Sequence, residues 1–215
     1  MRHIRYLLLL SLFAASSFAL QPQFGAGVDI GLQKAWLDRW VIETPLVGLN
    51  LPVFLTEEHG VQLSIRYSPK GFENDSGIDY RSDWLQYVDI PLCYTYYPSF
   101  FPIDLGLTLG LSYSVLLGVS SKEPDGFETS PDKAYYTKSD YGFLVGFHYK
   151  RPISYGALVF SLEYYGGLST VREKWILPYS EEIRPVKNHA VSLCLGYEIP
   201  RFGIGGISGG SAGSK

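Results

Sequence analysis

The stretch LGLTLGLSYS, residues 105–114, changes from a large to a small side chain at every step. Leucine or tyrosine occupies the odd positions, and glycine, threonine or serine occupies the even positions. Successive side chains of a β-strand point to opposite faces, so a period of two residues predicts a strand with one apolar face. The other face carries only small side chains, which suits the crowded interior of a small barrel.

This alternation occurs eight times along the chain. The eight segments are 24–32, 47–55, 61–68, 88–96, 105–114, 140–149, 157–164 and 191–199. Short connections alternate with long ones; the short ones are 56–60, 98–102 and 150–155, and the long ones are 33–46, 69–83, 118–138 and 169–187. An even number of strands joined in this way is typical of outer-membrane barrels. We therefore predict an all-β fold, an eight-stranded antiparallel up-and-down transmembrane β-barrel over residues 20–199, with short turns and both chain ends in the periplasm.

The composition fits a surface that partly contacts lipid. Charged residues make up 18% of the chain, against roughly 25% in an ordinary soluble domain. Tyrosines end the apolar faces of several predicted strands, as in the aromatic girdles of membrane barrels. The alternative is a soluble barrel with its apolar face inward, but its outer face would then need many charged residues.

The first 19 residues have the features of a secretory signal peptide. Arg2 and Arg5 form a positive n-region, 6–13 is an apolar run, and Ser17 and Ala19 are small residues before a cleavage site. The run is too short for a transmembrane anchor, which needs about 20 apolar residues. We predict export to the outer membrane, and a flexible Gly/Ser-rich tail over residues 200–215.

Polar residues on the small-residue faces point into the predicted barrel. The candidate interior network consists of Arg66, Asn50, Asp29, Asp89, Asp140 and Glu163. Arg66 is the only lysine or arginine that the alternation assigns to the interior, and counting back from the 56–60 turn places Asn50 opposite it. Buried charges must be paired, so we expect Arg66 to anchor the carboxylates. The network would form either a proton or ion path or a structural plug, and the narrow interior of an eight-stranded barrel favours the plug.

Several short motifs resemble those of a known family. They are Gly25-x-Gly27, YSPKG (67–71), YVDIPL (87–92), Asp140-Tyr141-Gly142 with Gly146, Glu163-Tyr164-Tyr165 with Gly167-Leu168, and Asn188. In order and spacing they resemble the outer-membrane β-barrel family that includes PorT-like proteins of Bacteroidetes-type bacteria. The resemblance covers nearly the whole mature chain and implies a location in the outer membrane. Some members of that family resemble secretion or gliding components.

The sequence carries no nucleophile motif, and we predict that the protein is not an enzyme. A lipid-modifying hydrolase would need a serine–histidine pair near the outer rim, where His189 with Ser169 or Ser192 is the candidate. The histidines lack the spacing of metal ligands, so no metal site and no cofactor are predicted.

The two cysteines are predicted to be free thiols. Cys93 and Cys194 fall on the fourth and eighth strands, on opposite sides of an eight-stranded barrel. A disulfide requires Cα atoms within about 7 Å of each other, which this arrangement does not provide.

The tryptophans Trp36, Trp40 and Trp175 lie in the predicted long loops. Trp36 and Trp40 would share one face of a helical turn. Aromatic side chains are enriched at protein interfaces, so these three are candidates for a loop interaction. The alternative role is anchoring among the lipid headgroups.

Together these features predict an outer-membrane barrel that acts as a plugged scaffold and displays long extracellular loops for a structural or partner-binding role. The expected partners are outer-membrane lipid and an envelope or extracellular protein, and the barrel is expected to be monomeric. A net charge of −3 argues against a nucleic-acid partner. The alternatives are a subunit of a secretion or transport assembly, and a soluble periplasmic lipocalin-like lipid carrier.

Overall fold

The computed structural model describes residues 22–37, 40–74, 81–101, 103–122, 128–129, 136–176, 183–199 and 202–203. Eight long strands form the main body. They are β1 (Gly27–Leu37), β2 (Trp40–Phe54), β3 (His59–Tyr67), β4 (Arg81–Tyr96), β5 (Leu105–Lys122), β6 (Ser139–Ile153), β7 (Gly156–Gly167) and β8 (Asn188–Glu198). No helix among the described residues is long and apolar enough to cross a membrane.

The eight strands close into a barrel. Each strand pairs antiparallel with its neighbours in sequence. β8 returns to β1 over eleven residue pairs, from Asn188↔Leu37 to Glu198↔Gly27. The predicted eight-stranded antiparallel up-and-down barrel is therefore confirmed.

The apolar face of each strand points outward. Leu32, Leu111 and Leu193 are 71%, 66% and 64% exposed. The residues that precede and follow each of them on its strand are small or face the interior. An outward-facing apolar band of this kind is typical of barrels that span a membrane. This orientation is the reverse of the one that the soluble lipocalin-like alternative requires.

The strands continue well beyond the apolar band, which corrects the predicted long loops. β1 and β2 are joined across residues 38–39 alone, so the predicted 33–46 loop is a paired hairpin. β4 and β5 remain paired up to Ser82↔Lys122. Four short strands complete this region: Lys70–Asn74 between β2 and β4, Glu128–Thr129 beside β5, and the hairpin of Arg172–Ile176 with Ile183–Val186. This long-connection end is thus largely β-structure in the described part of the chain.

The turns at the other end are short, as predicted, but one of them shifts the register. Thr56 Oγ1 accepts hydrogen bonds from the backbone N–H groups of Glu58 and His59, at 3.2 and 3.0 Å. The turn is therefore centred one residue earlier than the predicted 56–60 connection, and pairing begins at Phe54↔Gly60. As a result Gly48, and not Asn50, lies opposite Arg66.

The first and last described strands meet at this short-turn end. Gln23–Phe24 pairs with the end of β2, and Phe202–Gly203 pairs with Gln23–Phe24. A paired strand therefore occurs within the segment predicted to be a flexible tail. Residues 204–215 and the predicted signal peptide, 1–19, lie outside the described residues.

Candidate functional site

Four buried side chains from four strands meet inside the barrel. We call Asp29, Arg66, His148 and Glu163 the central cluster; each is at most 5% exposed. Arg66 donates to both oxygens of Glu163, with Nη2 at 3.2 Å from Oε1. Arg66 Nε lies 3.3 Å from Asp29 Oδ2, and His148 Nε2 lies 3.0 Å from Glu163 Oε1. Bidentate charge-assisted contacts of this kind are among the strongest polar interactions in proteins, so the cluster ties β1, β3, β6 and β7 together.

Glycines on the facing strands make room for these charged side chains. A Cβ on Gly48 would lie 2.3 Å from Asp29 Oδ1 and 2.7 Å from Arg66 Cγ. A Cβ on Gly146 would lie 2.6 Å from a backbone oxygen and 3.0 Å from Glu163 Cγ. The small residues that alternate with the apolar ones are therefore required by the size of the interior side chains.

A second ion pair lies on the long-connection side of the central cluster. Lys70 Nζ donates to Asp89 Oδ1 at 2.9 Å and to Ser114 Oγ at 3.3 Å. The same ammonium lies 4.0 Å from the ring centre of Tyr165 and 5.0 Å from that of Tyr87. Lys70 is fully buried, because an aromatic and carboxylate environment replaces the water around its charge.

The backbone at Pro69 directs Lys70 into the barrel. The Pro69 carbonyl accepts hydrogen bonds from Gln33 Nε2 and from Thr44 Oγ1, the latter at 2.6 Å. Gly71 follows with a φ of 143°, and a Cβ there would lie 2.0 Å from the Asp83 carbonyl oxygen. Only glycine fits this left-handed, closely packed position, so the chain turns inward at a place that resembles a loop in the sequence.

Asp140 forms a third polar group with neutral donors. Tyr165 Oη and Asn188 Nδ2 each donate to Asp140 Oδ2 at 2.9 Å, and Ser169 Oγ donates to Oδ1. The carboxylate is fully buried. It joins β6, β7 and β8 just below the long-connection end.

An apolar cluster closes the long-connection end of the barrel. We call it the outer cap; its buried members are Leu37, Leu85, Tyr87, Val119, Tyr136, Val171 and Val186. The first four lie on the long strands β1, β4 and β5. Tyr136 lies in the connection between β5 and β6, and Val171 and Val186 lie in the connection between β7 and β8. Because β1 and β5 lie on opposite sides of the ring, the cluster spans the mouth of the barrel.

The short-turn end is closed by a different arrangement, the floor. Lys150 Nζ donates to Glu198 Oε2 at 2.5 Å. It also lies 4.5 Å from the ring centre of Phe54 and 5.6 Å from that of Tyr97. Between floor and outer cap, two cavities of about 20 Å³ flank the Arg66–Glu163 pair. A cavity of this size has room for about one water molecule.

The comparison that decides the family covers more than half of the chain. The family model described as "Outer membrane protein beta-barrel domain" matches residues 44–172. The chain belongs to this family. No curated protein matches the chain.

Solved structures with a similar arrangement are distant in sequence. Ail, the attachment invasion locus protein of Yersinia pestis, is 13% identical, with 84% of this chain and 100% of Ail covered and a TM-score of 0.48. Neisserial surface protein A is 11% identical, with 82% and 96% covered and a TM-score of 0.44. OprG of Pseudomonas aeruginosa is 14% identical, with 84% and 96% covered and a TM-score of 0.36.

In this outer-membrane barrel the predicted interior residues separate into three groups. Arg66, Asp29 and Glu163 meet in the central cluster, Asp89 binds Lys70, and Asp140 binds neutral donors. Asn50 accepts from Gln62 Nε2 at 3.2 Å and lines the same cavity as Asp29.

The expectation that Arg66 is the only interior cation is wrong. Lys70 and Lys150 are also buried inside the barrel. Lys70 follows a proline and precedes a glycine, which is the pattern of a turn, whereas Lys150 starts the predicted 150–155 connection but still belongs to β6. The continued alternation through 148–150 is the signal that could have identified Lys150.

The tryptophans occupy strands rather than helical loops. Trp36 lies on β1 with its ring 5.8 Å from that of His189, and its register partner is Val41. Trp40 is the first residue of β2, and Trp175 pairs in register with Arg184. The helical face predicted for Trp36 and Trp40 is therefore wrong, because the hairpin continues the sheet through this segment.

The serine–histidine pair considered for catalysis does not form. His189 Nδ1 lies 3.0 Å from Tyr164 Oη, on the outer face of β8. Ser169 donates to Asp140, and Ser192 is buried on the inner face. Among the described residues no group of three or more histidine, cysteine or acidic side chains could hold a metal ion.

Both cysteines are buried free thiols, as predicted. A Cβ on Gly110 would lie 2.6 Å from Cys93 Sγ, and one on Gly31 would lie 2.6 Å from Cys194 Sγ. The two sulfur atoms thus pack against glycines on different strand pairs, β4–β5 and β8–β1.

Proposed function

We propose that this outer-membrane barrel is a closed scaffold that presents a structured β-platform to a protein partner outside the cell. The observation that carries the proposal is the outer cap, a buried apolar cluster at the end where the strands project beyond the lipid band. A platform with its own core can hold a binding surface in one shape, whereas a flexible loop must first be ordered at a cost in entropy.

The contents of the barrel support a plug rather than a channel or a lipid carrier. Each of the buried cations Arg66, Lys70 and Lys150 is paired with a carboxylate. A lipid carrier needs an apolar cavity, and a conducting pore needs a continuous aqueous path. We therefore propose a structural role for the interior network, no enzyme activity and no cofactor.

The remaining elements of the proposal follow from the sequence. Residues 1–19 would be removed as a signal peptide during export, and residues 204–215 would extend as a tail in the periplasm. The mature barrel would be monomeric, with outer-membrane lipid around it. Trp36, Trp40 and Trp175 would belong to the platform or to its lipid-facing rim.

A second candidate function is a subunit of a secretion or transport assembly, as the resemblance to PorT-like proteins favours. In that case the barrel would migrate as part of a large complex when native membranes are solubilised gently. A scaffold with an extracellular partner would instead migrate alone in membranes prepared without that partner.

The orientation of the platform can be tested by labelling single cysteines on whole cells. Leu168→Cys lies at the long-connection end and Ser99→Cys in a short turn; both positions are exposed, whereas the native cysteines are buried. We expect a membrane-impermeant maleimide to label the first variant on intact cells and the second only after permeabilisation. The reverse pattern would overturn the proposal.

A further inference from the structure

One sector of the outer surface changes from apolar to basic and aromatic within two residue rows. The rows run across β1, β8 and β7. The lower row is Leu32, Leu193 and Leu162, which are register partners and all face lipid. The next row is Lys34, Val191 and Tyr164, and the row above pairs Trp36 with His189. This change marks the level at which acyl chains give way to headgroups.

The aromatic side chains in these rows form a continuous stack. The rings of Trp36 and His189 are 5.8 Å apart and nearly parallel, at 18°, and those of His189 and Tyr164 are 6.3 Å apart at 21°. The stack brings together three rings from the three strands β1, β8 and β7. Such a surface suits the amphipathic zone between acyl chains and water.

The contacts of His189 leave one of its nitrogens available. The Tyr164 hydroxyl is hydrogen-bonded to His189 Nδ1 at 3.0 Å. When Nδ1 accepts that bond, the single N–H of the neutral ring is on Nε2. Lys34 lies one row below on the neighbouring strand, and Lys187 is exposed two residues before His189. Three donors thus border the stack.

We propose that Lys34, Trp36, Tyr164, Lys187 and His189, the rim patch, bind the phosphorylated headgroup of a lipid in the outer leaflet. The two ammonium groups and His189 Nε2–H would contact the phosphate, and the aromatic stack would support the uncharged part of the headgroup. The leaflet assignment rests on the proposed orientation, whereas the binding itself depends only on the patch.

The position of Lys34 favours a lipid over a soluble anion. Its side chain follows Leu32 on the lipid-facing ladder of β1, so its charge emerges at the top of the acyl-chain layer. Lysines at such a boundary extend toward the headgroups. Glu43 lies 3.6 Å from Lys34, but both side chains are more than half exposed. An ion pair exposed to this degree is weak and exchangeable, so a phosphate can replace the carboxylate.

The test measures lipid retention on the purified full-length mature barrel in detergent micelles by native mass spectrometry. The probes are phosphatidic acid, diacylglycerol as its uncharged counterpart, and inorganic phosphate. We expect the wild-type barrel to retain one phosphatidic acid in preference to diacylglycerol. The variant K34A/K187A should weaken that retention roughly 10- to 30-fold, from the usual contribution of basic side chains near an anionic membrane surface.

Two further variants keep the outcome specific. K138A/R151A removes two exposed cations elsewhere on the two rims and should leave retention within about twofold of wild type. His189→Phe keeps the stack but removes the N–H, and should weaken retention by a smaller factor than K34A/K187A. A heat-modifiability gel first establishes that each variant is folded.

Equal losses in K34A/K187A and K138A/R151A would overturn the proposal, as would equal retention of the two lipids. Displacement of phosphatidic acid by inorganic phosphate at equal concentration would assign the patch to soluble anions instead. None of these outcomes depends on which way the barrel faces, so they are separable from the cysteine-labelling result.

Discussion

At the scale of single residues, the contrast between two ion pairs shows what the barrel interior demands. Arg66 and Glu163 form a bidentate pair that is almost fully buried, whereas Lys34 and Glu43 meet at 3.6 Å on the outer rim with most of both side chains exposed. Removing one partner of a buried pair leaves an uncompensated charge, but removing one partner of an exposed pair leaves a charge that water still solvates.

This contrast predicts different costs for the same chemical change. Glu163→Gln should lower the free energy of unfolding by about 3–5 kcal/mol, because Arg66 keeps its charge and loses its main partner. Glu43→Gln is the matched control and should cost less than about 1 kcal/mol. Denaturant unfolding of the refolded barrel in micelles, followed by tryptophan fluorescence, measures both values. Equal losses would mean that the interior is hydrated far more than the geometry indicates.

At the scale of elements, β1 and β4 keep the same inward and outward positions along their length, but their apolar residues change from the outward face to the inward face. Within the lipid band of β4, Ile90, Leu92 and Tyr94 face outward, whereas beyond it Leu85 and Tyr87 face inward to the outer cap. The apolar residues of β4 therefore move from even-numbered, outward positions to odd-numbered, inward positions, close to an irregularity in the pairing with β5 between Gln86 and Tyr87. The same chain segment thus serves as a lipid-facing strand and as the wall of a water-exposed domain.

Two leucines separate these roles experimentally. Leu85→Ala should cost about 2–5 kcal/mol, because it creates a cavity in the buried outer cap. Leu111→Ala on the lipid face is the matched control and should cost much less, because lipid tails can fill the space. Chemical denaturation of both variants under the conditions used for Glu163→Gln provides the comparison. A larger loss for Leu111→Ala would contradict the assignment of the outer cap as a packed core.

The parity switch also explains what the sequence could and could not predict. The lipid band demands the same outward apolar face on every strand, so period-two patterns located all eight strands. Within the band the apolar residues of β1 lie on its outward face, as Val28 and Leu32 do, whereas beyond it the apolar residues Ala35 and Leu37 lie on the inward face. The interrupted apolar pattern resembles a loop in the sequence. The central cluster was partly predictable, because Arg66, Asp29 and Glu163 share the inward parity. Lys70 was not, because its burial depends on the turn at Pro69 and Gly71.

At the scale of the whole molecule, the barrel has three zones along its axis. The floor, the charged interior and the outer cap follow one another, and only the middle zone lies behind the apolar outer band. Placing the molecule in a bilayer therefore leaves both closures in or near water and buries the ion pairs behind lipid. The order of the three zones along the axis therefore predicts how far each outward-facing residue lies from the bilayer midplane.

Arginine scanning of the outer face can locate the band. Leu109 lies in the middle of the lipid-facing row of β5, and Val41 is exposed on β2 beyond the apolar band. Leu109→Arg should cost about 2–4 kcal/mol and Val41→Arg about 0–1 kcal/mol, because the penalty for arginine falls from the midplane to the interface. Unfolding in phospholipid vesicles measures both. Similar costs at the two positions would place the band elsewhere on the molecule.

The glycine at position 48 has a consequence for how the barrel can assemble. Sliding β3 by two residues along β2 would keep every apolar side chain in lipid, so hydrophobicity alone does not choose between the two alignments. In the observed alignment Gly48 faces Arg66, whereas in the shifted one Asn50 would take its place. Arg66 would then lose the space beside Gly48, which it shares with Asp29, and would meet an amide side chain instead. The absence of a side chain at position 48 thus favours one register between β2 and β3. Because strand registers set the shear of a closed sheet, this glycine also helps to set the diameter of the barrel.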